Sequence, residues 1–199
     1  GVGRPGSPSV AIALARGAID GSASDIVAAM SAGKGPFGAT PDLVVLCTPV
    51  REFPVALQAI APHISPDLIV TDVGSTKREV MAWARTYLPA EACFVGSHPM
   101  AGSEKRGPEA ARASLYEAAT CLMCVPHFPQ ANIAGERVRK MWEALGMRVL
   151  MLDAEEHDRW VAAVSHLPHA VAFTLVNAIA QAPEMFAAAA GGFLDATRT

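Results

Sequence analysis

The sequence predicts an α/β protein with a parallel sheet covered by helices, followed by the start of an all-helical second domain. Three observations lead to this fold class. Short apolar runs alternate with longer segments whose apolar residues recur every three or four positions, as strands and covering helices do. The runs are almost continuously apolar, which is typical of parallel strands buried on both faces. After residue 152 only helical patterns follow.

The first residues, GVGRPG, fit the G-x-G-x-x-G pattern of dinucleotide-binding turns. That turn needs a strand before its first glycine and a helix after it, whereas Pro5 and Pro8 interrupt such a helix. SPSV at 7–10 instead resembles a serine N-cap with proline at the first helical position. We therefore favour the interpretation that the first βαβ unit of the sheet is absent from these residues, and a genuine fingerprint is the alternative.

Five runs predict strands and three amphipathic segments between them predict helices. The strands are expected at 42–49, 67–74, 93–99, 120–126 and 148–153, and the helices at 51–63, 76–88 and 135–146. Three strands end in polar turns that read CTPV, DVGSTK and GSHPMAGSE. Parallel sheets bind ligands beyond the carboxyl ends of their strands, so we expect the functional site in these three turns.

The second domain begins at a capping-box-like pair, Asp153 and Glu156. The apolar pattern then predicts one long helix to Gln181, kinked by Pro168. A further stretch, 183–199, has the pattern of another helix beginning. We expect residues 1–152 to form the first domain and residues 153–199 to form the first helices of the second.

The composition limits the classes of binding partner and the cellular location that we expect for the protein. The net charge is −3 and the basic residues are scattered, so nothing favours binding to nucleic acid or to an anionic membrane. No apolar run approaches the roughly 18 residues that span a bilayer, and the first residues lack the features of a signal peptide. We predict a cytoplasmic protein whose partner is a small molecule.

Cysteines and histidines raise the question of a metal. Cys121 and Cys124 are three apart in a predicted strand, so their side chains point to opposite faces, and the four cysteines are interpreted as core residues. His157 and His166 lie on opposite sides of a regular helix, while His166 and His169 fall within roughly 60° of each other. Two ligands do not make a catalytic zinc site. We predict no metal.

Four segments together resemble one family. They are DVGSTK (72–77), GSHPMAGSEKRG (96–107), EEHDRWVAAVSHLPH (155–169) and GGFLDATR (191–198). Their order and spacing resemble those of the prephenate and arogenate dehydrogenases over residues 7–199. The resemblance implies a Rossmann-like domain that binds NAD or NADP, followed by the substrate and dimerisation domain of a homodimer. It also implies oxidative decarboxylation of prephenate or arogenate to 4-hydroxyphenylpyruvate or tyrosine.

The resemblance also implies catalytic residues. His98 would accept the proton of the substrate hydroxyl, a task suited to a neutral imidazole. Pro99 would hold His98 extended, and Gly96 and Gly102 would let the backbone approach a ligand. Ser75 would lie near both nicotinamide and the hydroxyl. The alternatives are a loop histidine bonded to backbone and a serine that caps the helix from Thr76.

Further residues would bind substrate and cofactor. Arg198 resembles the arginine that binds a substrate carboxylate, which suits a bidentate cation. His169 and His166 would contact substrate, with His169 favoured because Pro168 could aim it inward, and Glu104 could organise polar groups. Thr48 and Pro49 would line the cofactor cleft. Leu194 occupies a position where many relatives carry a basic residue, so a substrate contact from this position is not expected.

Three other functions remain open. The domain could sense a nucleotide without turnover, or it could be a β-hydroxyacid dehydrogenase, although that class uses a helix lysine and no lysine follows Lys140. A metal hydrolase is the third. The sequence does not separate prephenate from arogenate, or NAD from NADP.

Overall fold

The structure, a computed structural model, describes residues 1–3, 6–31, 40–102, 107–126 and 129–197 of the chain. The chain forms two compact units, Gly1–Ala154 and Glu155–Thr199. The first unit contains a five-stranded sheet with helices, and the described part of the second is helical. The predicted fold class is confirmed.

The five strands lie in the sheet in chain order. They are β1 Leu43–Leu46, β2 Ile69–Asp72, β3 Cys93–Met100, β4 Thr120–Cys124 and β5 Arg148–Met151. β1, β2 and β3 are parallel, β4 is antiparallel to β3, and β5 is parallel to β4. The antiparallel pair is the one departure from the predicted parallel sheet. The described part of the β3–β4 connection holds two short 3₁₀ turns, Pro108–Ala110 and Ala113–Tyr116, where a parallel connection would use a crossover helix.

In the described part of the first unit, five helices accompany the sheet, and three of them cover its faces. They are α1 Ser9–Ala15, α2 Ile26–Met30, α3 Phe53–Ile60, α4 Arg78–Tyr87 and α5 Pro129–Ala144. α3 and α4 pack on the face that carries Val70 and Phe94, and α5 packs on the face that carries Val95. The core therefore consists of two apolar clusters, one on each face of the sheet.

The described residues that precede α1, 1–3 and 6–8, belong to no strand of this sheet. Val2 makes an isolated parallel bridge with Ala23. α1 has Pro8 as its N-cap, and the Ser9 amide donates to Ser7 Oγ over 3.3 Å, so the helix begins one residue later than predicted.

Three of the four cysteines are buried in the sheet as expected, whereas Cys47 follows β1 and is exposed, so its interpretation as a core residue is wrong. Cys124 belongs to the cluster under α3 and α4, and Cys121 belongs to the cluster under α5. The two thiols of β4 therefore lie on opposite faces. All four cysteines are free, and only Cys47 is exposed.

The second unit continues the helix that begins at the end of the first. α6 Ala154–Val161 leads into a π-helical segment, Ala162–His166, and then into α7 Leu167–Ala180; α8 Gly191–Thr197 follows. Pro168 has no amide hydrogen and its ring would collide with the Val164 carbonyl, so the chain widens into the π turn instead of only kinking.

This helix corrects the estimate of apolar length. Ala154–Ala180 is long and apolar enough to cross a membrane by length and composition, and 6% of its most apolar window is buried. The expectation that no apolar run approaches bilayer length is therefore wrong.

Candidate active site

The candidate site lies at the edge of the sheet where the first three strands end. Leu46 of β1 lies opposite Asp72 of β2, and Thr71 lies opposite Val95 of β3. The carboxyl ends of parallel strands lie at the same edge of a sheet, so the segments that follow β1, β2 and β3 begin at this edge. The structure brings four predicted site residues there: Thr48, Pro49, Ser75 and His98.

His98 lies within a strand. β3 continues to Met100 because Gly96 to Met100 pair with β4, and His98 is opposite Leu122. The strand predicted at 93–99 is therefore confirmed and extends to Met100, whereas the alternative of a loop histidine is wrong. Residues 96–100 of the stretch GSHPMAGSE belong to this strand. His98 is 9% exposed, and pairing with β4 holds the backbone before and after it.

Ser75 lies in the short segment between β2 and α4 and is exposed. α4 begins at Arg78 and its N-cap is Lys77, without a capping side-chain hydrogen bond. The alternative in which Ser75 caps this helix is therefore wrong. Ser75 is instead exposed, as are Thr48 and Pro49 after β1.

A buried ion pair lies beneath this edge. Lys77 Nζ is 2.6 Å from Asp72 Oδ2, and both side chains are 0% exposed. Lys77 Nζ also donates to the carbonyls of Gly74 (2.8 Å) and Thr76 (3.0 Å), which flank Ser75. The buried lysine therefore holds the backbone on both sides of Ser75.

Both oxygens of the Asp72 carboxylate are used. Oδ1 accepts from the Ser97 amide over 3.0 Å, and Oδ2 accepts from the Gly74 amide over 2.8 Å as well as from Lys77. Burial raises the pKa of the Asp72 carboxyl, while the Lys77 ammonium and the amides of Ser97 and Gly74 act in the opposite direction. Three donors thus compensate the burial of this carboxylate.

Two glycines make room for the pair. A Cβ on Gly96 would lie 3.0 Å from Lys77 Cδ and 2.9 Å from Met81 Sδ. A Cβ on Gly74 would lie 2.9 Å from Asp72 Oδ2 and 2.9 Å from Val50 Cγ2. The interpretation that Gly96 admits a ligand is therefore wrong, because Lys77 and Met81 fill that space.

The opposite face of β3 is fixed by neutral hydrogen bonds. Ser97 Oγ lies 2.9 Å from Thr71 Oγ1 and accepts from Trp142 Nε1 over 3.1 Å. Tyr116 packs edge-to-face on Trp142, with ring centroids 5.6 Å apart. Ser97 is thus held by its amide on one side and its hydroxyl on the other.

Sequence reasoning missed Asp72, Lys77 and Ser97, although all three lie in segments it singled out. The pattern that could have found them is a carboxylate at the end of an otherwise apolar strand with a lysine five residues on. A buried carboxylate needs such a partner, so that spacing predicts an ion pair inside the turn.

Other predicted site residues lie elsewhere. Glu104 and Arg198 are outside the described residues. His166 ends the π segment and His169 lies on α7, and both are exposed in the second unit. His157 is buried, with Nδ1 2.8 Å from Asp158 Oδ1. Within the described ranges, no three His, Cys, Asp or Glu side chains are grouped as metal ligands.

The edge fits a nicotinamide nucleotide. Thr48, Pro49 and Ser75 are exposed, small and uncharged, and they follow neighbouring parallel strands. Such side chains let a planar ring approach the backbone, and the two hydroxyls can hydrogen-bond to polar groups of a cofactor.

The fold and this edge define a nucleotide-binding, Rossmann-like domain. Residues 7–151 match the family model described as prephenate dehydrogenase, nucleotide-binding domain. Residues 153–199 match the model described as prephenate dehydrogenase, dimerization domain. The chain belongs to the prephenate dehydrogenase family, which confirms the resemblance found in the sequence.

Individual relatives agree with the family models. The chain is 36% identical over 163 residues to a cyclohexadienyl dehydrogenase of Zymomonas mobilis, covering 79% of this chain and 55% of that protein. It is 37% identical over 160 residues to a prephenate dehydrogenase of Bacillus subtilis, covering 78% and 43%. The chain thus spans about half the length of these relatives.

A solved structure extends the similarity to the fold. A crystal structure of prephenate dehydrogenase from A. aeolicus, in complex with hydroxyphenyl propionate and NAD⁺, has 34% sequence identity and a TM-score of 0.83. The match covers 99% of this chain and 67% of that one. It spans both units of the present chain.

Proposed function

We propose that this chain carries the cofactor-binding part of an NAD(P)-dependent prephenate or arogenate dehydrogenase. The observation that carries the proposal is that the three neighbouring strands β1, β2 and β3 bring the segments of Thr48 and Pro49, Ser75, and His98 to the same carboxyl edge of the sheet. The names of the relatives support it, since they are described as prephenate and cyclohexadienyl dehydrogenases.

The proposed reaction is an oxidative decarboxylation. A hydride leaves the ring carbon that bears the hydroxyl group, and the hydroxyl proton goes to a base. Loss of the ring carboxylate as CO₂ returns its bonding electron pair to the ring, which becomes an aromatic phenolate, and the phenolate oxygen takes the proton back from the base. The nicotinamide cofactor, when bound, accepts the hydride.

His98 is the proposed base. It accepts the hydroxyl proton as the hydride leaves, and it needs a fixed position because proton transfer requires hydrogen-bond distance to the substrate. Its place inside β3 supplies that rigidity. Ser75, exposed at the neighbouring strand end, is proposed to hydrogen-bond the same hydroxyl and orient it toward His98.

The remaining roles come from the family resemblance. Thr48 and Pro49 are proposed to line the cofactor cleft, and Arg198 to bind a substrate carboxylate through a charge-assisted pair. Glu104 is proposed to organise polar groups beside the substrate. His169, and after it His166, are proposed as substrate contacts from the second domain.

The complete protein is proposed to be a cytoplasmic homodimer. The description of residues 153–199 as a dimerization domain supports the dimer. Exposed apolar side chains on α7 support it too, including Leu167, Val171 and Phe173 at 59%, 49% and 66% exposure. A self-association surface explains an apolar helix of bilayer length without a membrane.

One assay tests the activity. Prephenate and arogenate are each offered to the full-length protein with NAD and with NADP, and reduced cofactor, CO₂ and aromatic product are measured. We expect the three products in equal amounts. NAD is the first cofactor to test, because the A. aeolicus relative is described with NAD⁺.

The opposite result is equally clear. Cofactor binding without turnover of either substrate would favour a nucleotide-sensing domain. Turnover of a β-hydroxyacid alone would place the chain's activity in that other dehydrogenase class.

A further inference from the structure

The two residues proposed to act on the substrate hydroxyl are both connected to one buried carboxylate. Asp72 Oδ1 accepts from the amide of Ser97, the residue before His98. Asp72 Oδ2 accepts from the amide of Gly74, the residue before Ser75. A single side chain therefore joins β3 to the loop that follows β2.

We propose that Asp72, held by Lys77, is a positioning residue that sets the spacing between His98 and Ser75; this rests on the proposed function. Asp72 is 0% exposed and so acts through its two backbone partners, without touching substrate. Lys77 completes the arrangement by donating to the carbonyls on either side of Ser75.

The surroundings make the connection stiff. The Lys77 stem lies against Gly96, two residues before His98 on the same face of β3, where even a Cβ would come within 3.0 Å of it. Hydrogen bonds to charged groups are stronger than those between neutral groups. The loop and the strand therefore cannot shift relative to each other without breaking a charge-assisted bond.

Positioning can be separated from folding because a buried ion pair is often replaceable. Apolar or neutral residues of similar volume commonly leave stability unchanged or raised, whereas removal of one partner leaves an unpaired charge. The double variant Asp72→Asn/Lys77→Met keeps the side-chain volumes and removes both charges. An asparagine also cannot accept hydrogen bonds through its NH₂ group, so the contact to Gly74 or to Ser97 is lost.

The experiment measures steady-state kinetics of the full-length enzyme with its preferred substrate and cofactor, with kcat expressed per cofactor-binding site. The double variant is expected to lose about 10²-fold in kcat, as for a displacement of about 1 Å. KM is expected to change less than about threefold, because substrate contacts in the ground state remain. The matched control is Asp42→Asn, which removes a carboxylate from an exposed pair with Arg137 and is expected to keep wild-type kcat.

A second background separates positioning from a general structural effect. In His98→Asn enzyme, the Asp72→Asn/Lys77→Met change is expected to lower the residual kcat by less than about threefold, because residues that act as a unit are not additive. A merely structural role would lower kcat by the same factor with and without His98. That result would overturn the proposal.

Two further outcomes are decisive. If the wild-type enzyme is active and the double variant has the same kcat, only the positioning role is overturned. If the wild-type enzyme is inactive on both substrates, the proposed function is overturned as well. If the double variant fails to bind cofactor, Asp72→Glu moves the carboxylate by about one carbon–carbon bond, ~1.5 Å. The same loss of kcat is expected there, and a normal kcat would contradict the proposal.

Discussion

The two units of the chain differ in which side chains they bury: the first buries several polar ones, and the second exposes many apolar ones. The sheet of the first unit buries a charged pair, Asp72 and Lys77, together with Thr71, Ser97 and His98. In the part that the structure describes, no buried side-chain polar atom lacks a hydrogen-bond partner. Among its described residues, the second unit has two buried apolar residues, Val161 and Ala172. It carries half of the large exposed apolar side chains that the structure describes, in less than a quarter of the chain's length.

This difference indicates where each unit finds its partners. The first unit satisfies its buried groups internally, so its carboxyl edge is rigid before any ligand arrives. The exposed apolar side chains of the second unit gain stability only when another surface covers them. We infer that chemistry depends on the first unit and that the second supplies binding and assembly.

The largest expected effect concerns the stability of the first unit. Lys77→Met leaves the Asp72 carboxylate buried without its cation and should lower the free energy of unfolding by about 3–5 kcal/mol. Asp42→Asn, in the exposed pair with Arg137, should cost less than about 1 kcal/mol. Urea unfolding at fixed protein concentration measures both. Equal costs would mean that burial of the pair does not matter.

The next effect is on the chemical step. His98→Asn should lower kcat by at least about 10²-fold with little change in substrate KM, because a general base acts in the transition state. His63→Asn is the matched control, since His63 lies before β2, away from the carboxyl edge. Steady-state kinetics with prephenate or arogenate decides. A near-normal kcat in His98→Asn would remove this histidine from the mechanism.

The comparison predicts a different kind of loss in the second unit. Arg198→Gln should raise substrate KM by an amount on the order of 2 kcal/mol, or about 30-fold, for a lost charge-assisted pair. Arg159→Gln, exposed on α6 and 3.9 Å from Glu156, should leave KM unchanged. A loss in kcat alone for Arg198→Gln would contradict the division of labour between the units.

Assembly gives a smaller expected effect. Phe173→Ser should raise the dimer dissociation constant at least about tenfold, because burial of an apolar side chain contributes about 1.5–3 kcal/mol. Val55→Ser, which is 72% exposed on α3 in the first unit, should leave it unchanged. Analytical ultracentrifugation measures both constants. If the two variants behave alike, the apolar face of α7 is not the contact surface.

The smallest effect concerns thiol chemistry at the carboxyl edge. Desolvation by the surrounding protein raises the pKa of the Cys47 thiol, and the Asp72 carboxylate raises it further. Burial raises the pKa of Cys121 to about 12. A raised pKa means less thiolate at neutral pH, so the labelling rate of Cys47 should increase as pH rises, and Cys121 should stay unlabelled in the native protein.

Cofactor should slow this labelling. Cys47 directly precedes Thr48 and Pro49, which are proposed to line the cofactor cleft. Mass spectrometry of alkylated peptides, with and without NAD or NADP, measures protection at Cys47. If cofactor does not change the labelling rate of Cys47, the end of β1 does not line the cofactor cleft.

The sequence was most informative where a local pattern determines structure. Alternating strand and helix patterns predicted the sheet, and the segments around Ser75 and His98 predicted the family. The opposite faces of Cys121 and Cys124 followed from strand geometry alone. These features depend on residues that are close in sequence.

What the sequence could not predict depends on distant partners. The partner of His98 in the sheet, Leu122 of the antiparallel β4, lies more than 20 residues later. Gly96 suggested space for a ligand, yet that space is filled by Lys77 and Met81. The hydrogen bond from Trp142 to Ser97 joins residues 45 apart. The periodicity of apolar residues in the sequence does not predict contacts between residues so far apart.

The most direct test of the account is the pH dependence of kcat in wild-type enzyme and in His98→Asn. An imidazole accepts a proton only when it is neutral, so wild-type kcat should fall as pH is lowered and His98 becomes protonated. The His98→Asn variant should be slow and should lack this acid-side fall. If both enzymes show the same fall at the same pH, another group is the base, and the central role of His98 at the sheet edge is contradicted.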